Sequence, residues 1–356
     1  MNIFFYRTNW ALLLFLLYND NWKSTLFCFN SWKDVPSGLQ TGNAPIWIFH
    51  KKEKKGYFVY KLGRLGVDIF RGVSFILYMK LRRRKGKFRF WGDDDSCLSK
   101  CFVDSEFCVV EDGLANYTPD TIVQLHKMGV VGLGADYIPM GSDPTIHHVL
   151  LSGSFKIPAL IKNKAICVDV LAAWKRKSKQ QKKDILSVFG TSESELRKYT
   201  QKIILLTQNF TSYQMERDIN EYEVYRKILD HYPKKSVLIK PHPASQLDYS
   251  KLFSGYTILE GRFPFELLAL YHKFDRVISI NSTAAFTVPN YDYADIYDAE
   301  GRLYRSFRGM GREEIEPDEI RHMTPAFKGI KMGSRIHRMG KRFINDVFRN
   351  LFWSVK

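Results

Sequence analysis

The chain has 356 residues, more than one ordinary domain requires and comfortable for two of moderate size. Hydrophobic residues make up 45% and aromatic residues 15%, which supplies packed cores and excludes disorder over most of the length. The formal net charge of +17 favours anionic partners (nucleic acid, an anionic membrane face, acidic or phosphorylated substrates) without choosing among them.

The opening stretch 2–6 is β-rich and reads as a strand. Thr8 can cap the helix that follows over 10–18. That apolar run is well short of the ~20 residues a membrane span needs. It could pass for a signal-peptide core, but the charged start is nearly absent and no small-residue cleavage site follows. A second strand is expected over 24–29, an apolar run over 46–50, a helix within 57–79, and short buried strands over 88–91 and 107–110. After a polar helix over 192–201 the alternation resumes. Strands are expected at 202–207, 237–239 and 276–280, and helices at 221–231 and 264–272. Each strand is short, apolar and followed by polar or Gly/Pro residues, as in parallel sheets buried on both faces. The expected fold is α/β, with two Rossmann-like domains facing a cleft. Residues 1–190 form the first domain, 191–330 the second, and 331–356 a basic amphipathic helix. No period of 20–50 residues repeats, which excludes a solenoid.

Five cysteines, an odd number without a CxxC pair, argue for reduced thiols in a cytosolic protein rather than a disulfide framework or zinc site. Two basic runs stand out, 80–87 and 174–183. Each reads either as a solvated helix end or as a polyanion-binding patch.

Ligands in open α/β sheets bind beyond the carboxyl ends of the strands, and three motifs fall there. Glu111-Asp112-Gly113 puts two carboxylates and a permissive glycine after an apolar strand, a pattern suited to acid–base work or simply to a turn. In Lys240-Pro241-His242-Pro243 the prolines restrict the backbone around an imidazole, beside a lysine suited to phosphate. Asn281-Ser282-Thr283 offers hydroxyls and free amides at a helix start, either for phosphate or for capping. A rival is Asp93-Asp94-Asp95, an acidic triplet that reads as a metal site or a solvated turn. His147-His148 has no partner at metal-ligand spacing and reads as structural.

In this order the three motifs resemble those of the bacterial sialyltransferases: an acidic pair plus glycine, a His-Pro dipeptide and a later Ser-Ser/Thr pair. The chain is most similar to glycosyltransferase family 52, which includes lipooligosaccharide sialyltransferases. Further similarity lies in MNIFFYRTNW, LLTQ at 205–208, IKPHP, Phe263-Pro264 and ISINSTA. The third motif is Ser-Thr rather than Ser-Ser. The stretch 209–215 lacks the proline and acidic residues of close relatives, so a glucosyltransferase-like donor stays open.

The resemblance implies a GT-B arrangement and inverting transfer from CMP-sialic acid to an oligosaccharide or lipid-linked glycan such as lipooligosaccharide or capsule. Glu111 is then the expected base, with Asp112 orienting the loop or sharing that role. His242 serves the departing CMP phosphate, held by Ser282 and Thr283, with Gly113, Lys240, Pro243 and Asn281 completing the binding set. No metal or other cofactor is required, and no nucleic-acid signature is present. The basic C-terminal helix suits peripheral attachment to an anionic membrane, on the inner face of the plasma membrane. A homodimer is compatible with this reading. A non-enzymatic polyanion-binding protein is the alternative from another class.

Overall fold

The computed structural model describes residues 1–31, 34–42, 45–50, 74–75, 77–79, 88–94, 99–103, 106–118, 138–208, 220–243, 245, 247–280 and 282–309. Seven strands build the first sheet: β1 (Asn2–Phe5), β2 (Leu26–Ser31), β3 (Ile46–His50), β4 (Arg89–Gly92), β5 (Phe107–Val110), β6 (His148–Leu151) and β7 (Ala165–Cys167). Their order is β3-β2-β1-β4-β5-β6-β7, and every pairing is parallel. The second sheet contains β8 (Ile203–Leu206), β9 (Val237–Lys240), β10 (Thr257–Ile258), β11 (Phe274–Ser279), β12 (Tyr291–Tyr297) and β13 (Leu303–Arg308). It runs β10-β9-β8-β11-β12-β13, parallel except for the antiparallel edge strand β13.

Both sheets therefore have the doubly wound order, and each reverses direction once, between β1 and β4 and between β8 and β11. Such reversal points open a crevice beyond the strand ends. At the first one the backbones come close. Gly92 closes β4 at φ +111, where a Cβ would lie 2.1 Å from the Phe5 carbonyl oxygen, so only glycine fits.

Helical segments among the described residues include α1 (Asn9–Tyr18), α2 (Ser37–Thr41), α3 (Ala159–Lys162), α4 (Val170–Arg176), α5 (Lys179–Val188), α6 (Glu193–Arg197), α7 (Glu221–Leu229), α8 (Tyr249–Leu252), α9 (Phe265–Tyr271) and α10 (Ala284–Thr287). Thr8 caps α1, accepting from the Ala11 amide at 3.2 Å. Every residue of α1 from Trp10 to Leu17 is buried, against β4, β5, β6 and α4. The apolar N-terminal run is thus a core helix, and each buried leucine in it contributes about 1.5–3 kcal/mol. No described helix is long and apolar enough to cross a membrane.

The core does not stop at the domain boundary. Buried residues of the first sheet continue into Leu267, Leu268 and Phe286 of the second domain. Phe155 meets Phe286 with ring centroids 5.5 Å apart, and Trp174 meets Tyr271 at 5.6 Å. This apolar seam sets how the two sheets face each other. The expected strands are present with shifted ends. β6, β7, β10, β12 and β13 were not anticipated.

Candidate functional site

Glu111 continues the line of β5 and is fully buried. Its Oε1 accepts from the Trp10 indole at 3.1 Å. Its Oε2 accepts from the Tyr117 hydroxyl at 2.8 Å and the Ser152 amide at 2.6 Å, and the Ser152 hydroxyl donates at 2.8 Å. Burial pushes this carboxyl above the ordinary range, and these donors pull it back. All the donors belong to the first domain. In this structure both oxygens of Glu111, the expected base, are bonded to interior donors, which tie α1, β5 and β6 together.

Asp112 has a different environment. Its side chain is 19% exposed, and Arg7 Nε donates to its Oδ2 at 2.9 Å. The same guanidinium reaches Asp93 Oδ1 at 2.9 Å. Oδ1 of Asp112 is itself buried and has no hydrogen-bond partner among the described residues, and the Thr8 hydroxyl also bonds this carboxylate. Burial raises its pKa, the Arg7 charge opposes the rise, and Asp93 adds to it. A carboxylate with one uncommitted oxygen and a raised pKa has the attributes of a general base.

Gly113 follows at φ 144 and ψ −147. A Cβ here would come within 3.1 Å of the Thr283 hydroxyl oxygen, in the other domain. The first and third motifs therefore meet across the cleft. Beyond β11, the Ser282 amide donates to the Ser279 hydroxyl at 2.8 Å. Thr283 starts α10 without a side-chain cap bond, so its hydroxyl is not spent on the helix. The helix is short. With four residues it is one turn long and brings no useful macrodipole to a phosphate. The hydroxyls are what this segment offers. Asn281 lies outside the described residues.

In the second motif, Lys240 ends β9 and is buried. Burial lowers its pKa, and the Glu266 charge opposes this. Glu266 is buried on α9, accepts from the Thr287 hydroxyl at 2.9 Å, and is raised by burial to about 7. Lys240 thus has its counter-charge inside the second domain and is not a bare cation in the cleft. His242 is half-buried, and its amide donates to the Thr207 hydroxyl at 2.8 Å, beyond the end of β8. Burial, then the charge of Lys240, lowers its pKa. The imidazole in the free protein is therefore mostly neutral at pH 7.

His242 and Pro243 line a cavity of about 620 Å³ together with Tyr6, Asn9, Asp34 and Arg262. Those residues follow β1, β2, β9 and β10, so the carboxyl ends of both sheets face the same space. The Tyr6 hydroxyl donates to Asn9 at 3.1 Å, and the Asn9 amide donates to the Arg262 carbonyl at 2.9 Å, bridging the domains. Burial and the charges of Asp34 and Asp112 push the Tyr6 phenol up.

The acidic triplet has other work in the described part. Asp94 is fully buried and accepts from the amides of Met140 and Gly141, both at 2.9 Å. Asp93 pairs with Arg7. Asp95 lies outside the described residues, as do the basic run 80–87 and the C-terminal helix expected over 331–356. Among the described residues no group of three His, Cys, Asp or Glu is placed to hold a metal ion. Arg7, Tyr117, Ser152, Thr207 and Glu266 were missed from the sequence. Arg7, Ser152 and Thr207 each follow a strand, which was the available signal.

The profile of glycosyltransferase family 52 matches residues 50–298. An uncharacterized protein of Haemophilus influenzae is 28% identical over 202 residues, which is 56% of this chain and 63% of that relative. The chain thus spans less than two thirds of that relative's length. Among solved structures, the UDP-GlcNAc 2-epimerase from Neisseria meningitidis bound to UDP-GlcNAc is similar with a TM-score of 0.46 and 13% identity, over 99% of this chain and 92% of that one. The UDP-GlcNAc 2-epimerase from Methanocaldococcus jannaschii gives 0.44 and 11%, over 90% and 98%.

Proposed function

The chain belongs to glycosyltransferase family 52, and from that premise we propose that it transfers sialic acid, with inversion, from CMP-sialic acid to a surface glycan such as lipooligosaccharide or capsule. The observation that carries this reading is the meeting of the acidic motif and the Ser-Thr motif from opposite domains, with Gly113 against Thr283.

In this mechanism Asp112 removes the proton from the acceptor hydroxyl. The acceptor oxygen attacks the anomeric carbon on the face opposite the nucleotide. The bond from that carbon to the phosphate oxygen breaks, and CMP leaves with the electron pair. Charge then builds on one phosphate group. The neutral imidazole of His242 donates a hydrogen bond to it, and the hydroxyls of Ser282 and Thr283 add two more. Preorganised donors of this kind stabilise a developing oxyanion without a cation. Lys240 contributes positive charge from behind the strand end. Glu111 and Arg7 hold Asp112 in place.

The test is CMP release and sugar transfer by the purified chain across a panel of nucleotide sugars in excess EDTA. CMP-sialic acid should be the donor consumed, with chelation harmless. Consumption of a UDP-sugar alone would assign another donor. Loss of activity on chelation, restored by manganese, would return the chemistry to Asp93, Asp94 and Asp95.

A further inference from the structure

The basic run 174–183 is not used by the chemistry above, and the structure divides it. Lys177 turns inward and pairs with Asp20 after α1. Lys175, Lys179, Lys182 and Lys183 instead line a groove of about 1320 Å³, joined by Arg197 and the half-buried ring of Tyr271. None of these four lysines forms an ion pair with a described residue. The single acid of α5, Asp184, is taken up by Lys23 at 2.5 Å, and it is not among the groove's lining residues. The one carboxylate that does line the groove, Glu193, is bonded to Arg197 at 2.8 Å. Lys182 lies over the Trp174 ring at 5.6 Å and the Lys183 charge is felt by Asp184, yet a concave surface with four ammonium groups and no ion-paired acid facing them attracts an anion.

Two further features narrow the ligand. Ser37 and Gly190 line both this groove and the cavity that holds His242, so the two spaces adjoin. The surface is also recessed, between α4, α5 and α6 of the domain connection and Tyr271 of α9. A chain molecule can follow such a path, whereas a flat bilayer face cannot enter it.

We propose that this groove holds a phosphate-bearing segment of the acceptor glycan, whose free hydroxyl end reaches the cleft beside Asp112 and His242. This deepens the transferase reading and rests on it for the word acceptor. The lysines are flexible point charges suited to phosphate groups spaced along a saccharide.

The experiment measures binding by the full chain of a phosphorylated core oligosaccharide from lipooligosaccharide, and of the same oligosaccharide after phosphatase treatment. A parallel arm uses phosphatidylglycerol vesicles. Two quadruple variants at positions 175, 179, 182 and 183 are compared, Lys→Gln and Lys→Arg, with thermal midpoints as the folding control. The wild type should prefer the phosphorylated saccharide by roughly tenfold to a hundredfold at low salt, the scale of four exposed charge contacts. The glutamine variant should lose that preference, and the arginine variant should keep it. Equal binding of both saccharides by the wild type would overturn the proposal. So would preference retained by the glutamine variant, or capture by vesicles without saccharide binding. Donor turnover does not enter this readout, so a wrong donor and a wrong groove give different results.

Discussion

The two adjacent carboxylates should separate cleanly in a stability and turnover comparison. In Glu111→Gln one oxygen becomes an NH2 group. Oε1 faces the Trp10 indole N–H and Oε2 faces the Ser152 backbone N–H, and neither donor can reverse. Whichever way the amide turns, one buried N–H meets another donor. A buried donor left unsatisfied costs about 1–3 kcal/mol. The remaining bonds also lose their charge assistance, which adds about 1 kcal/mol. Glu111→Gln is therefore expected to lower stability by about 2–4 kcal/mol. Asp112→Asn behaves differently, because the amide can keep its oxygen on Arg7 and turn its NH2 to the side where Oδ1 has no partner, and Arg7 keeps Asp93. Its stability should change by about 1 kcal/mol or less, while turnover falls roughly a hundredfold or more. Urea denaturation and CMP release, measured on both variants, decide the matter. A Glu111→Gln protein as stable as wild type yet inactive, beside an active Asp112→Asn protein, would refute this division of roles.

Three further outcomes follow from single residues. Gly113→Ala places a Cβ at φ +144 and 3.1 Å from the Thr283 hydroxyl. Denaturation should show a loss of about 1–3 kcal/mol, and a Thr283→Ala partner substitution should restore only the steric share. The Glu266 carboxyl is raised from its ordinary 4.5 to about 7 by burial. The folded state thus binds this proton more tightly than the unfolded chain. The resulting stabilisation is complete below 4.5, is lost as pH rises through about 7, and amounts to about 3 kcal/mol. Glu266→Gln should flatten the pH–stability curve across that window, and an unchanged curve would show that Glu266 titrates normally. His242 should titrate below 6.5 by NMR in the free protein and move upward on addition of CMP. Titration above 6.5 without ligand would contradict its burial next to Lys240.

The strands that carry the three motifs were readable because each is a dense apolar run ending in polar or small residues. What escaped the sequence did so for physical reasons. β7 and β10 have three and two residues, too short for any periodicity to register. β12 contains Asp295, which looks like a surface residue. In the fold it is buried against the Arg276 guanidinium at 2.6 Å and the Tyr232 hydroxyl at 2.7 Å. β13 is an exposed edge strand whose Leu303, Tyr304 and Phe307 are interrupted by Arg305 and Ser306, so they form neither an apolar run nor a strict alternation. The different surroundings of Glu111 and Asp112 were equally hidden. Adjacent carboxylates look alike in one dimension, and the donors that claim Glu111 come from residues 10, 117 and 152.

The most direct measurement incubates the full chain with CMP-sialic acid, lipooligosaccharide and excess EDTA. Mass and anomeric configuration of the product are read by mass spectrometry and NMR. Transfer with inversion should add a sialic acid residue in the α configuration, with one CMP released per residue transferred. Glucose incorporated from UDP-glucose while CMP-sialic acid stays intact, or a product that retains the donor's configuration, would contradict the proposed reaction.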